Sequence, residues 1–233
     1  GAKVDNATFT GNEADNGAGI VATGDNAEIK DSTFANNTAF TGAGVVSNGT
    51  GTSISGSNFT GNNANSGAGV VLEGDNATVA GSEFIGNEAV NGAGIVTTGN
   101  NTKVEDTKFT NNTAETGAGV LSEGSNTTIS DSEFTGNNAT TGAGAVLNGA
   151  NATVEGSTFA GNNATEGAGV VSNGEGTNIS GSTFANNTAT TGAGAVLNGA
   201  NATVGETEFT GNNATSGSAI ALGDNATSIK VDD

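Results

Sequence analysis

Thr8-Phe9-Thr10-Gly11-Asn12-Glu13-Ala14-Asp15-Asn16-Gly17-Ala18-Gly19-Ile20-Val21 decides how this chain folds, because a close copy returns every 25 residues. Phenylalanine stands at Phe9, Phe34, Phe59, Phe84, Phe109, Phe134, Phe159, Phe184 and Phe209. Three residues after each comes an asparagine: Asn12, Asn37, Asn62, Asn87, Asn112, Asn137, Asn162, Asn187 and Asn212. No residue is inserted or lost between Phe9 and Phe209. A fixed period in this range marks a repeat architecture, in which each unit buries its apolar face only against its neighbours. With no composition shift along residues 1–233, one elongated repeat domain is expected.

Working outward from the repeat, helical periodicity is nowhere supported. Glycine accounts for 40 of 233 residues, and leucine and lysine-glutamate pairs are scarce. Strand and turn signals are everywhere. Each repeat reads as three short strands: one around the β-branched residue that begins at Val4, one around Phe9, and one over Gly17 to Val21. Corners at Asn6, Asp31, Gly56 and their equivalents, at Gly11-Asn12, and at Gly24-Asp25-Asn26 carry residue types that tolerate a left-handed backbone. Strands so short bury a face only by coiling, so that equivalent residues stack at about 4.8 Å. The expected fold is therefore an all-β, single-stranded parallel β-helix of about nine coils, roughly 43 Å long. Its interior holds a phenylalanine ladder, a Val/Ile ladder, an alanine ladder and an asparagine ladder that passes amide hydrogen bonds from coil to coil.

Charge supports the same register. Lys3 stacks on Glu28, Asp5 on Lys30, and Lys108 lies between Glu83 and Glu133, opposite charges facing across adjacent rungs. In the third strand, volume trades between Ala145 and Leu147, Ala195 and Leu197, and Val45 and Ser47. Such compensation belongs to a packed interior, so Ala18, Ile20, Ala22 and their equivalents are placed inside. The consequence is a solvent-facing ladder, Val21, Val46, Val71, Val96, Leu121, Val146, Val171 and Val196, read as a lateral association surface.

The residues suggest a family. Phe-x-x-Asn followed by Gly-Ala-Gly-Val, with Gly217-Ser218-Ala219-Ile220 in the last copy, resembles the Phe-x-x-Asn and Gly-Gly-Ala-Ile repeats of chlamydial polymorphic outer-membrane proteins and adhesin-like surface proteins. The resemblance covers nearly the whole chain. It implies a right-handed parallel β-helix with a role in adhesion or surface structure, at the cell surface or outside the cell. The Gly-Ala-Gly order, the unbroken spacing and the lack of a β-barrel anchor depart from that pattern.

Composition narrows the chemistry. The net charge is -19, from 24 acids against five lysines, so nucleic acid is excluded as a partner and an anionic membrane is disfavoured. No apolar run approaches the ~20 residues of a membrane helix. Without histidine, cysteine, tyrosine or arginine, nucleophile-base triads, zinc sites and arginine clamps have no residues to be built from. No catalytic residue and no cofactor are expected. The richest acidic cluster is Glu105, Asp106, Asp131, Glu133 and Glu155, in which Asp106 and Asp131 are the candidate ligands for a Ca²⁺ ion. The same acids would serve the low-ranked alternative, a polysaccharide-active enzyme.

Off the ladders, Phe40, Val90 and Ile85 are exposed apolar candidates for a contact site. Asn-x-Thr sequons such as Asn76-Ala77-Thr78 and Asn201-Ala202-Thr203 offer glycan acceptors. A threonine array suited to ice is not sustained, since the rung of Thr10 also holds Ala35 and Ile85. The leading expectation is a non-enzymatic structural surface protein, a β-helical rod acting as adhesin stalk or filament subunit. Its expected partners are itself, head to tail or laterally, and host or cell-surface glycans. The alternative that the same regularity invites is an idealised or consensus scaffold with no biological function, pointed to by the identity of Thr141–Val154 with Thr191–Val204.

Overall fold

The computed structural model describes residues 1–232; Asp233 of the closing Lys230-Val231-Asp232-Asp233 segment lies outside the described residues. The chain winds into a parallel β-solenoid in which each residue lies beside its equivalent one repeat away. Val4 pairs with Ile29, Phe9 with Phe34, and Ile20 with Val45, all in parallel register.

Each coil has four faces, seen in the second coil as Glu28–Lys30 (face A), Thr33–Ala35 (face B), Thr38–Thr41 (face C) and Val45–Ser47 (face D). Faces A, B and D are continuous sheets of ten, nine and nine strands. The expected three strands per coil are thus corrected to four. Face C was hidden in the sequence because it buries one apolar side chain per rung, the alanine at Ala39 or Ala64, among residues most of which have little strand preference. Pairing with the coils on either side supplies what propensity lacks. This face is also the least regular. It is a four-stranded sheet over the first four coils, isolated bridges through the next three, and a two-stranded sheet at the end.

The corners behave as the residue types imply. Asn6, Asp31, Asp106 and Asp131 have φ of 51°, 48°, 48° and 49°, and the Asn26 corner has φ of 56°. Asparagine, aspartate and glycine hold nearly all of these positions because they enter the left-handed region at least cost, Glu206 with φ of 50° being an exception.

Two glycine columns have separate, steric causes. A Cβ on Gly94 would lie 2.4 Å from the Gly119 carbonyl oxygen and 2.8 Å from the Phe109 ring, so the glycine lets the next phenylalanine pass beneath the backbone. The last coil carries Ala219 at this position, where the described residues place no further phenylalanine against it. A Cβ on Gly42, whose φ is 59°, would lie 2.2 Å from a methyl of Val46.

That second contact overturns the expected solvent-facing ladder. Val46, Val71, Val96, Leu121, Val146, Val171 and Val196 are buried, between 1% and 6% exposed, and form a separate apolar cluster. Only Val21, in the first coil, is open, at 52%. The glycine turn before face D comes down over the outer side of its strand, so this strand is buried on both faces. The inward placement of Val45, Ser47, Ala145 and Leu147 stands, since all four are fully buried. The lateral association surface does not.

Candidate functional site

The phenylalanine column is the centre of the rod. Successive rings are stacked with centroids 4.5–5.0 Å apart and planes within 10° of each other. From Phe34 to Phe184 the rings are fully buried. Strand alternation turns Phe34 on face B and Ile29 on face A inward, while the residues on either side of each are half-buried or exposed.

Beside them the asparagine column closes its own hydrogen-bond account. Asn112 Nδ2 donates to Asn137 Oδ1 at 3.1 Å and to the Phe84 carbonyl at 2.9 Å, while its backbone N–H donates to the same Asn137 oxygen at 2.9 Å. The arrangement repeats from coil to coil, so each interior amide uses both donors and accepts twice. Among the described residues no buried side-chain nitrogen or oxygen lacks a partner.

Two further polar columns complete the interior. Ser32, Ser57, Ser82, Thr107 and their equivalents accept from a backbone N–H of the preceding coil, as Ser57 Oγ does from Ser32 N at 3.2 Å, and donate to the carbonyl two residues earlier. The signal for this column was the unbroken Ser/Thr two residues before each phenylalanine from Ser32 onward. The other column pairs hydroxyls across the corner between faces D and A: Ser47 with Thr52 and Ser122 with Thr127 at 2.6 Å, Thr97 with Thr102 at 2.8 Å. Where the first position is Leu72, Leu147 or Leu197, the second is Ala77, Ala152 or Ala202, all buried. This co-variation is visible in the sequence; its meaning requires knowing that the two positions touch.

The acidic candidates do not converge. Asp106 and Asp131 occupy left-handed corners, Glu105 and Glu155 lie on face A, and Glu133 lies on face B. No group of three or more carboxylates among the described residues is arranged to hold a metal ion. The lysines are likewise dispersed. Lys3 pairs with Glu28 at 2.5 Å, and Lys30 lies 3.5 Å from the neighbouring Asp31, although its strand register sets it beside Asp5. The hydrogen bond and charge of Lys3 hold the Glu28 carboxyl below the usual carboxylate range, and Glu28 in turn raises the Lys3 amine. Lys108 sits in register between Glu83 and Glu133 without a direct ion pair.

Apart from Val21 in the first coil and Leu222 and Val231 at the far end, the exposed large apolar residues among the described residues are on face C, while Ile85, on face B, is half-buried. Phe40 is 66% exposed and Val90, two coils on in the same column, 37%. Beside Val90 is a shallow groove of about 320 Å³, lined by Asn63, Ala64, Glu88, Ala89, Val90, Thr113, Ala114 and Glu115. The groove lies where the regular strands of face C give way to isolated bridges after Glu88–Asn91. In the next coil the N–H groups of Glu115 and Thr116 both donate to the Val90 carbonyl, at 3.0 and 3.1 Å, and the same double donation recurs at the Glu115, Thr140 and Thr165 carbonyls.

With the coils, ladders and faces established, the family comparison is decisive. The family model described as a right-handed β-helix region matches residues 1–159 and, in an overlapping second match, residues 68–233. The chain belongs to the right-handed β-helix family. Membership supplies the handedness that stacking and spacing alone leave open. It reaches no further toward chlamydial or adhesin-like relatives, and the family includes both enzymes and non-enzymes. No curated protein and no solved structure matches the chain. No helix among the described residues is long and apolar enough to cross a membrane.

Proposed function

We propose that this right-handed β-helix is a non-enzymatic structural element of a surface or extracellular protein, a stiff rod that serves as a stalk. The observation that carries the reading is how the repeated residues are used. Phenylalanine and asparagine, which recur without exception, are committed to stacking and to coil-to-coil hydrogen bonds, and the serine and glycine columns to closing and fitting the coils. Repetition at these positions therefore serves length and rigidity. A rod of stacked coils gains reach by about 4.8 Å per repeat, which is what a spacer between an anchor and a contact surface requires.

The test combines shape and turnover. Negative-stain microscopy of the purified chain should show rods about 43 Å long, and incubation with a panel of acidic and neutral polysaccharides should leave every substrate intact. Cleavage of any polysaccharide, lost on Asp106→Asn or Asp131→Asn, would replace this reading with the enzymatic one.

A further inference from the structure

We propose that the groove at Val90 on face C is a docking site for a cationic peptide segment. A lysine or arginine head group would sit at the Glu88 and Glu115 carboxylates, with its aliphatic stem along Val90 and the floor methyls. The site has an apolar base, formed by Ala89 and Ala114 at 9% and 8% exposure, and Val90 stands beside them as a partly exposed wall. Long basic side chains match that layout, since they lay an apolar stem on apolar surface and keep the charged end in water.

The rim selects the charge of the occupant. Glu88 and Glu115 make no side-chain hydrogen bond or ion pair, and no lysine lines the groove. Ionised carboxylates only accept, so a partner must donate, and a chain of net charge -19 favours a donor that is also positive. Phe40 lies two rungs away in the same column with its ring open to solvent. It offers a second basic side chain of an extended peptide a cation–π contact. The volume, near the lower end of the range for small-ligand sites, suits one side chain and its flanks.

The experiment measures binding of a fluorescein-labelled peptide alternating arginine with valine to the full chain, by anisotropy at low and physiological salt. Its aspartate-valine counterpart and a neutral oligosaccharide run in parallel. Binding of the basic peptide alone is expected, weakening as salt rises. Glu88→Gln with Glu115→Gln should weaken it about fivefold or more, whereas Glu155→Gln with Glu208→Gln, equal in net charge and outside the groove, should leave it within about twofold. Val90→Asn, which keeps every charge, should weaken it as well. Equal loss in both double variants would reduce the effect to diffuse attraction by a polyanion and overturn the proposal. So would binding of the neutral oligosaccharide in place of the peptide, or no binding at all. All substituted positions are at least partly exposed, and circular dichroism verifies that each variant keeps its strands. The stalk reading is tested separately, because neither outcome here changes rod length or polysaccharide turnover.

Discussion

A single buried amide such as Asn112 ties its own coil to both neighbours, to the preceding one through the carbonyl of Phe84 and the backbone of Asn87 and to the following one through the side chain of Asn137. Replacing it with alanine strands the buried Asn87 N–H and one of the two Asn87 amide hydrogens, the other still donating to the Phe59 carbonyl, and takes the side-chain donor away from the Phe84 carbonyl. At about 1–3 kcal/mol for each stranded buried group, partly relieved by relaxation, Asn112→Ala is expected to cost about 3 kcal/mol in urea unfolding. Asn65→Ala, in an exposed position, should lie within about 0.5 kcal/mol of the parent. Equal effects would remove the asparagine column from the account of stability. Glycine gives a second residue-scale contrast. Gly94→Ala drives a methyl into a carbonyl oxygen and a phenylalanine ring, and should cost about 1–3 kcal/mol as other overpacked substitutions do. The natural Ala219 shows that the backbone conformation accepts a Cβ where no ring lies against it.

Within one coil, the corner between faces D and A uses two interchangeable fillings, a hydroxyl pair or leucine over alanine. Thr52→Ala leaves the buried Ser47 hydroxyl without its 2.6 Å partner, and is expected to lower stability by about 1–2 kcal/mol. Adding Ser47→Leu reproduces the Val70, Leu72 and Ala77 set of the next coil, and should recover most of that loss. A double-mutant cycle checks the coupling, and strictly additive effects would refute it. At the first coil, the Lys3–Glu28 pair adds a local pH dependence. Glu28 titrates below its ordinary value, so its contribution is present above that value and fades as pH falls through the lowered one. Lys3 titrates above its ordinary value, so its contribution is full below that value and is lost as pH rises through the raised one. Hydrogen exchange at the Glu28 N–H, which donates to the Ala2 carbonyl, should report both limits, and Lys3→Ala should abolish them. Because both groups are solvent-exposed, global stability should barely respond.

For the whole rod, near-identical neighbouring interfaces predict stability that sums over coils. Removing residues 141–165, one full period, joins Thr140 to Glu166 without changing register. It should yield a folded rod about 4.8 Å shorter by small-angle scattering, with a modestly lower melting temperature. Removing half a period should instead abolish cooperative unfolding, because it sets core columns against corner columns. A half-period deletion that still melted cooperatively would show that the ladders do not dictate register.

How much of this was legible in the residues follows from what repetition encodes. Stacking with a period of 25 places Phe9 beside Phe34 and Asn12 beside Asn37 whatever the path within a coil, so the solenoid, its ladders and its strand register were determined by the sequence alone. The path within a coil was not. Face C was missed because a strand held by its neighbours needs no strand-forming side chains of its own. The Val46 column was turned outward because alternation leaves one side of a strand to solvent unless another segment covers it, and that cover comes from the Gly42 turn. The interruption of face C at Glu115, repeated at Thr140 and Thr165, falls in repeats whose sequence gives no warning of it. Periodicity determined which residues meet between coils; only the tertiary structure decided what lies over each strand within a coil, because that depends on how four left-handed corners direct a chain of nearly uniform spacing.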